Sequence, residues 1–169
     1  MPEADSSQDP TPMIEIQPLH PDDWRLWREL RLRALTESPS AFGSTLAEWT
    51  GPGDTETRWR ARLTTVPLNF VVRVDGAPVG MAGGYLRDDG AAELISLWVA
   101  AEARGRGVGD AAVRAVIDWA DQREVVLSVK TDNAPATTLY LRHGFIDVGP
   151  SPDDDGERFM RRTSKSACH

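Results

Sequence analysis

The stretch from Glu93 to Trp119 constrains the fold more strongly than any other part of this sequence. An apolar run over residues 93–99 precedes the segment ARGRGVG, in which three glycines stand among two arginines. Apolar residues then recur on one helix face, at Val108, Ala112, Ala115, Val116 and Trp119. Glycines destabilise a helix interior, but at a helix start they leave backbone N–H groups accessible. The stretch therefore predicts a central strand, a glycine-rich turn and a helix that ends near residue 122.

The glycine-rich turn has the composition of a phosphate-binding loop. The first turn of a helix has unpaired N–H groups and a partial positive charge, both of which favour an anion. Arg104 and Arg106 add charge-assisted donors suited to phosphate oxygens. A purely structural turn stays an alternative, because the G-x-G-x-G spacing matches neither the P-loop nor the dinucleotide-binding pattern.

The rest of the chain predicts an α/β domain with a mixed, mostly antiparallel sheet of six to seven strands and about four helices. Further strands are expected at residues 13–19, 68–74, 78–86, 125–130, 145–148 and 158–162. Further helices are expected at residues 21–35, 54–63 and 135–143, with a short helix in TESPSAFGST. The expected organisation is a disordered lead (1–12), one domain (13–163) and a polar tail (164–169).

Charge and cysteine content exclude several classes of protein. The formal net charge of −7 argues against binding nucleic acid, which requires a basic face. No apolar run approaches the ~20 residues of a membrane span, and the acidic, proline-rich start does not resemble a signal peptide. Cys168 is the only cysteine, so a disulfide framework or a cysteine-rich zinc site is not possible. We expect a cytoplasmic protein with no metal and no membrane partner.

Two blocks of the sequence resemble the GNAT superfamily of acyl-CoA-dependent N-acetyltransferases. LISLWVAAEARGRGVGDAAV is similar to the family's acetyl-CoA-binding motif, Arg/Gln-x-x-Gly-x-Gly/Ala, which Arg104, Gly107 and Gly109 match. LSVKTDNAPATTLYLRHGF is similar to the strand–Asn–helix–Tyr–Gly-Phe segment, which Asn133 and Tyr140 match in order and spacing. The resemblance implies the GNAT fold and acetyl-CoA as cosubstrate.

The same resemblance implies which residues hold acetyl-CoA. Main-chain atoms of Leu97, Trp98 and Val99 are expected to hydrogen-bond the pantetheine arm and the acyl carbonyl. The pyrophosphate is expected on the glycine-rich turn and the following helix start, at Arg104, Gly105, Arg106, Gly107, Val108, Gly109 and Asp110. The remaining coenzyme contacts are expected from Asn133, Thr138 and Tyr140. Asn133 could instead cap the helix before Pro135, which is compatible with a coenzyme contact.

Acyl transfer to an amine also needs an acid for the leaving thiolate and a base for the amine. Tyr140 is the candidate acid, because a phenol of pKa ~10 can protonate a thiolate of pKa ~8.5. The alternative is that Tyr140 only packs. Glu93 is the candidate base, acting through water, or else a solvated residue at the strand end. Strict alternation places Glu93 with Ile95, Leu97 and Val99, opposite Leu94, Ser96 and Trp98, unless a bulge intervenes.

The resemblance implies direct transfer from acetyl-CoA to a primary amine in a ternary complex, without a covalent enzyme intermediate. A small-molecule amine is favoured over a protein or peptide. Acidic side chains near the acceptor site would attract an ammonium group or would simply be solvated: Glu37, Glu48 and Asp153 to Asp155. Trp49 and Trp98 would line the acceptor cavity or belong to the core. The alternative function is a non-catalytic acyl-CoA-binding sensor or interaction module, and the family resemblance admits a homodimer.

Overall fold

A seven-stranded sheet forms the centre of the computed structural model, which describes residues 13–37, 46–152 and 155–163. The strands are β1 (Ile14–Pro18), β2 (Leu68–Val74), β3 (Ala77–Leu86), β4 (Ala92–Val99), β5 (Val125–Lys130), β6 (Ile146–Pro150) and β7 (Glu157–Arg162). Their order across the sheet is β1-β2-β3-β4-β5-β7-β6. Every neighbouring pair is antiparallel except β4 and β5, which are parallel. The predicted α/β class and the mixed, mostly antiparallel sheet are confirmed.

Five α-helices cover the two faces of this sheet in the part of the chain that the structure describes. They are α1 (Trp24–Glu37), α2 (Leu46–Trp49), α3 (Glu56–Thr65), α4 (Val108–Ala120) and α5 (Ala134–Arg142). Glycines on β3 show which helix lies on which face. A Cβ at Gly83 would meet Arg62 of α3, whereas a Cβ at Gly84 would meet Trp119 of α4. The α1–α3 layer and α4 therefore pack on opposite faces, and α5 lies beside α4.

Local sequence chemistry explains where these elements begin and turn. Asp75 and Gly76 both adopt positive φ, which is the geometry of the two-residue hairpin turn predicted between β2 and β3. The Thr55 side chain accepts a hydrogen bond from Arg58 N and so begins α3. Trp27, Trp59 and Phe70 are fully buried, so the tryptophan at 27 is a core residue.

A β-bulge interrupts the pairing of β3 with β4. Met81 pairs with Trp98 and Gly83 pairs with Ile95, so β4 contains one more residue than β3 over this interval. Ser96 in the bulge has a φ of +60°, which is unusual for a residue other than glycine. The predicted strict alternation is therefore wrong beyond the bulge: Glu93 and Trp98 lie on the same face of β4.

β4 and β5 separate after a short parallel contact. Only Ala92 with Val125 and Glu93 with Val126 pair across this seam, although β4 continues to Val99. Six residues of β4 therefore have no partner on β5, and a wedge opens between the two strands.

The expected lead, the expected tail and most of the segment with the expected short helix lie outside the described residues. Within the described ranges, no helix has the length and apolar character needed to cross a membrane.

Candidate active site

An open cleft of about 1060 Å³ occupies the wedge between β4 and β5. One wall is β4 from Glu93 to Val99, and the other is β5 from Ser128 to Lys130. The glycine-rich loop lines one end, and α5 contributes Leu139 and Tyr140. Because β4 has no strand partner on this side, its backbone N–H and C=O groups face a ligand-sized space.

The loop between β4 and α4 presents backbone that the chain itself does not use. Gly105 and Gly107 have φ of +76° and +87°, a conformation that residues with side chains rarely adopt. Between residues 105 and 110, no backbone N–H donates to a backbone carbonyl of the described residues. The next donor along the chain is the N–H of Ala111, which bonds Gly107 O at 3.0 Å. The intervening N–H groups lie at the positive end of α4, where an anion is favoured.

Gly109 has a different reason to be glycine. A Cβ there would lie 3.0 Å from Leu139, so the missing side chain lets α4 and α5 approach closely. Beside this contact, Asp110 accepts hydrogen bonds from Arg142 (2.8 Å) and His143 (2.8 Å). Burial raises the pKa of Asp110, but these two hydrogen bonds outweigh it and hold the pKa below its usual range. The two helices are thus joined at the end where the loop lies.

Tyr140 is buried at the α5 side of the cleft. Its ring packs against Phe145 with centroids 5.9 Å apart, and within the described part of the chain its hydroxyl has no hydrogen-bond partner. Burial raises the pKa of this phenol above its usual value of about 10. The hydroxyl is therefore a neutral donor across the physiological pH range.

Asn133 performs the capping role that its position before a proline suggests. Its side chain accepts a hydrogen bond from Ala136 N at 3.2 Å and so begins α5. The residue also lines the cleft, so capping and a ligand contact are compatible.

Glu93 lies at the seam where β4 and β5 are still paired. Its carboxylate is largely buried, lines the cleft and forms an ion pair with Arg87 at 3.3 Å. It is therefore not simply a solvated residue at the strand end.

Most of the predicted site residues meet at this one cleft. Its lining includes Glu93, Leu97, Trp98, Val99, Arg104, Gly105, Gly107, Gly109, Asp110, Asn133 and Tyr140. Arg106 and Thr138 are exposed and Val108 is buried, and none of the three is part of the lining. The side chain of Arg104 turns back and donates from Nε to Val99 O at 3.2 Å, which fastens the loop to the end of β4.

Sequence reasoning missed an arginine pair beneath the cleft, in which Arg31 is buried and Arg62 is half-buried. Arg31 of α1 lines the cleft, and Arg62 of α3 lies close enough for the two charges to interact. Arg62 donates to Asn69 and, from Nη2, to Ser96 Oγ at 3.1 Å, so it also holds the bulge. Arginine-rich amphipathic helices are common, and what distinguishes these two arginines is the burial of Arg31 and its closeness to Arg62.

The residues expected near the acceptor have mixed positions. Glu37 lines the cleft but is paired with Arg33 at 2.7 Å, and Trp49 packs on Trp59 with ring centroids 4.5 Å apart. Trp98 is both buried and part of the lining. Among the described residues, no cluster of three or more His, Cys, Asp or Glu is arranged to hold a metal ion.

Comparisons with known proteins agree with this architecture. Residues 24–145 match the profile of the acetyltransferase (GNAT) family. An uncharacterized N-acetyltransferase of Methanocaldococcus jannaschii is 34% identical over 94 residues, which is 52% of this chain and 60% of that protein. The match thus spans less than two thirds of that relative's length.

Solved structures show the same fold over nearly the whole chain. A GCN5-related N-acetyltransferase from Kribbella flavida has 25% identity and a TM-score of 0.65, with 89% of this chain and 97% of that chain covered. The PaiA N-acetyltransferase from Thermoplasma acidophilum, solved with coenzyme A, has 16% identity and a TM-score of 0.70, with 89% and 99% covered. The family match, which covers well over half of the sequence, and this shared fold establish that the chain belongs to the acetyltransferase (GNAT) family.

Proposed function

We propose that this protein transfers an acetyl group from acetyl-CoA directly to a primary amine. The observation that carries the proposal is the wedge between β4 and β5, because it joins a phosphate-binding loop, an unpaired strand edge and a buried tyrosine in one cleft. An extended pantetheine arm can take the place of a missing strand along β4, and its pyrophosphate can bind the free N–H groups after Arg104.

Tyr140 is proposed to protonate the leaving thiolate. It is neutral at physiological pH, and its hydroxyl has no competing partner among the described residues, so its proton is available to the sulfur. In the transfer, the amine nitrogen bonds to the acetyl carbon while the carbon–sulfur bond breaks. The amine loses a proton and the coenzyme sulfur gains one.

Glu93 is proposed to accept the amine's proton through a water molecule. It faces the cleft at the closed end of the wedge, and Arg87 holds its carboxylate in place. Leu97 and Val99 are proposed to act through their backbone groups, which need no particular side chain. A small-molecule amine is the favoured acceptor, because the cleft is bounded by both strand walls and by α5.

Thiol release from acetyl-CoA, measured across a panel of amines, polyamines, aminoglycosides, amino acids and N-terminal peptides, tests this function. We expect at least one class of amine to stimulate release in the wild type. In Tyr140→Phe, turnover should fall by roughly 100-fold or more while acetyl-CoA still binds in calorimetry. The other tyrosine provides a matched control: Tyr85 is exposed on β3, so Tyr85→Phe should retain full activity.

Two results would count against the proposal. Acetyl-CoA binding without acetylation of any amine would favour a non-catalytic acyl-CoA-binding module. Unchanged turnover in Tyr140→Phe would remove Tyr140 from the mechanism while leaving the acetyltransferase activity in place.

A further inference from the structure

We propose that the acceptor amine also bears a carboxylate, and that Arg31 and the indole N–H of Trp98 bind this carboxylate in the cleft. The inference rests on the proposed function, because it names the class of amine that the enzyme acetylates. Amino acids and other small amino-carboxylates are then the substrates, in preference to diamines and polyamines.

Arg31 is a buried cation with access to the cleft. It is 8% exposed, yet its side chain is part of the lining. Among the described lining residues, the other Lys and Arg side chains are half-buried or exposed. Burial lowers the pKa of Arg31 to about 10, so it stays protonated at neutral pH. A planar guanidinium in such a site matches the geometry of a carboxylate.

A second arginine increases the positive charge at this point. Burial and then the like charge of Arg31 lower the pKa of Arg62 to about 10. The hydrogen-bond partners of Arg62 among the described residues are neutral: Asn69 and Ser96. Arg62 therefore contributes positive potential beneath Arg31, while its hydrogen bonds are already used within the fold.

Several carboxylates that line the cleft form ion pairs with cations other than Arg31. Glu37 pairs with Arg33 at 2.7 Å, and Glu93 pairs with Arg87 at 3.3 Å. On the opposite wall, Glu157 pairs with Lys130 at 3.4 Å. These pairs offset part of the acidic lining, and the closeness of Arg31 and Arg62 concentrates positive charge at one point of the cleft.

Trp98 supplies an independent donor. It is 4% exposed, and its Nε1 is buried with no hydrogen-bond partner in the described part of the chain. Its ring lies under α1, where Arg33 stacks over it at 5.2 Å, and the residue lines the same cleft as Arg31. A buried N–H without a partner is costly, and a bound acceptor atom removes that cost.

These two donors specify the chemistry of what binds between them. Guanidinium and indole N–H groups only donate hydrogen bonds, so they select an anionic or carbonyl acceptor, and the charge of the guanidinium repels a second ammonium group. Because the bulge places Glu93 and Trp98 on the same face of β4, a molecule along that face can direct its amine toward Glu93 and its carboxylate toward α1. An amino-carboxylate satisfies both ends.

A matched substrate series tests the inference: an amino acid, its carboxamide, and the amine that lacks the group altogether, with the same side chain throughout. We expect the wild type to prefer the amino acid by about 10- to 100-fold in kcat/KM, as a charge-assisted contact implies. Arg31→Met should abolish this preference, and Trp98→Phe should reduce it. In both variants acetyl-CoA should bind with wild-type affinity.

Arg25→Met provides the control on the same helix, because Arg25 is exposed and stacks only on Trp24, at 4.8 Å. It should keep the full preference. If Arg31→Met does not fold, the wild-type series and Trp98→Phe still decide the question.

Equal use of the amino acid and its carboxamide, or a preference for polyamines, would overturn this inference and leave the N-acetyltransferase function standing. Silence toward every acceptor, with acetyl-CoA bound, would instead overturn the proposed function itself and the inference with it.

Discussion

At the scale of single residues, the cleft combines a buried phenol with a buried guanidinium, and burial shifts their pKa values in opposite directions. It favours the neutral form of Tyr140 and disfavours the charged form of Arg31. The phenol is thereby kept as a proton donor. The guanidinium keeps its charge at neutral pH, because even its lowered pKa of about 10 is far above neutrality.

The burial of Tyr140 predicts a pH dependence of stability. The folded protein holds the phenolic proton to a higher pH than the unfolded chain, in which the pKa is about 10. The stabilisation is therefore complete below about pH 10 and is lost as the pH rises further, by at most about 1.4 kcal/mol per pH unit.

Denaturant unfolding of the wild type and of Tyr140→Phe, at about pH 9 and about pH 11, measures this difference. We expect the free energy of unfolding to fall more steeply with pH in the wild type. Groups common to both proteins cancel in the comparison. Parallel pH profiles would show that the phenol is not buried in the folded protein.

At the scale of elements, two glycines with the same backbone conformation allow an effect on stability to be told apart from an effect on ligand binding. Gly107 and Gly76 have nearly the same φ, +87° and +88°, but Gly107 lies in the cleft and Gly76 lies in the turn between β2 and β3. Alanine at either position should cost about 1–2 kcal/mol of stability, because a left-handed backbone conformation disfavours a side chain.

Acetyl-CoA affinity distinguishes the two substitutions. Gly107→Ala should weaken binding in calorimetry, because a side chain disfavours the left-handed backbone conformation that presents the N–H groups of the loop. Gly76→Ala should bind as the wild type does. Equal affinities would mean that the loop does not hold the pyrophosphate.

The sequence predicted this level of structure well, for physical reasons that particular elements show. The strand at residues 125–130 and the turn at Asp75 and Gly76 follow from local apolar patterning and turn chemistry, and both are confirmed. The bulge at Ser96 could not be predicted locally. Ser96 in the bulge accepts a hydrogen bond from Arg62 of α3, a residue distant in the sequence, so its surroundings arise only in the folded chain.

The candidate site was likewise predictable from the sequence only in part. The glycine-rich loop and Tyr140 were accessible through motifs, because their chemistry depends on residues near one another in the chain. The arginine pair could not be found through a motif, because Arg31 and Arg62 come close to each other only when α1 and α3 pack together. The net charge of −7 describes the whole chain and gives no sign of the local positive charge at this pair.

At the scale of the whole molecule, the two halves of the sheet are coupled through a very short seam. β1 to β4 form one half and β5, β7 and β6 the other, and they share the pairs at Ala92 and Glu93. Contacts between α4 and α5 add a second connection. A ligand lying in the wedge would contact both halves at once.

Ligand binding should therefore stabilise the molecule as a unit. At a concentration of about 100 times Kd, acetyl-CoA should add about 2.7 kcal/mol to the free energy of unfolding. For a chain of this size that corresponds to a rise in Tm of roughly 5–10 °C. Thermal unfolding with and without acetyl-CoA measures the rise.

Amide hydrogen exchange would show which strands are stabilised by the bound ligand. Amides of β4 beyond Glu93 should gain protection on binding, whereas those of β2, which already has strand partners on both sides, should not. A uniform gain across both strands would indicate stabilisation without contact at the wedge.

The wedge between β4 and β5 is also a possible site of self-association, which affects solubility. An unpaired strand edge is a template for β-pairing with other chains, and proteins usually cover such edges. Here the edge lies inside the sheet, where a bound ligand and not a further strand of the chain would cover it. If acetyl-CoA binds in the wedge as proposed, its occupancy should also protect the protein against self-association, and we expect the ligand-free protein to aggregate more readily than the complex.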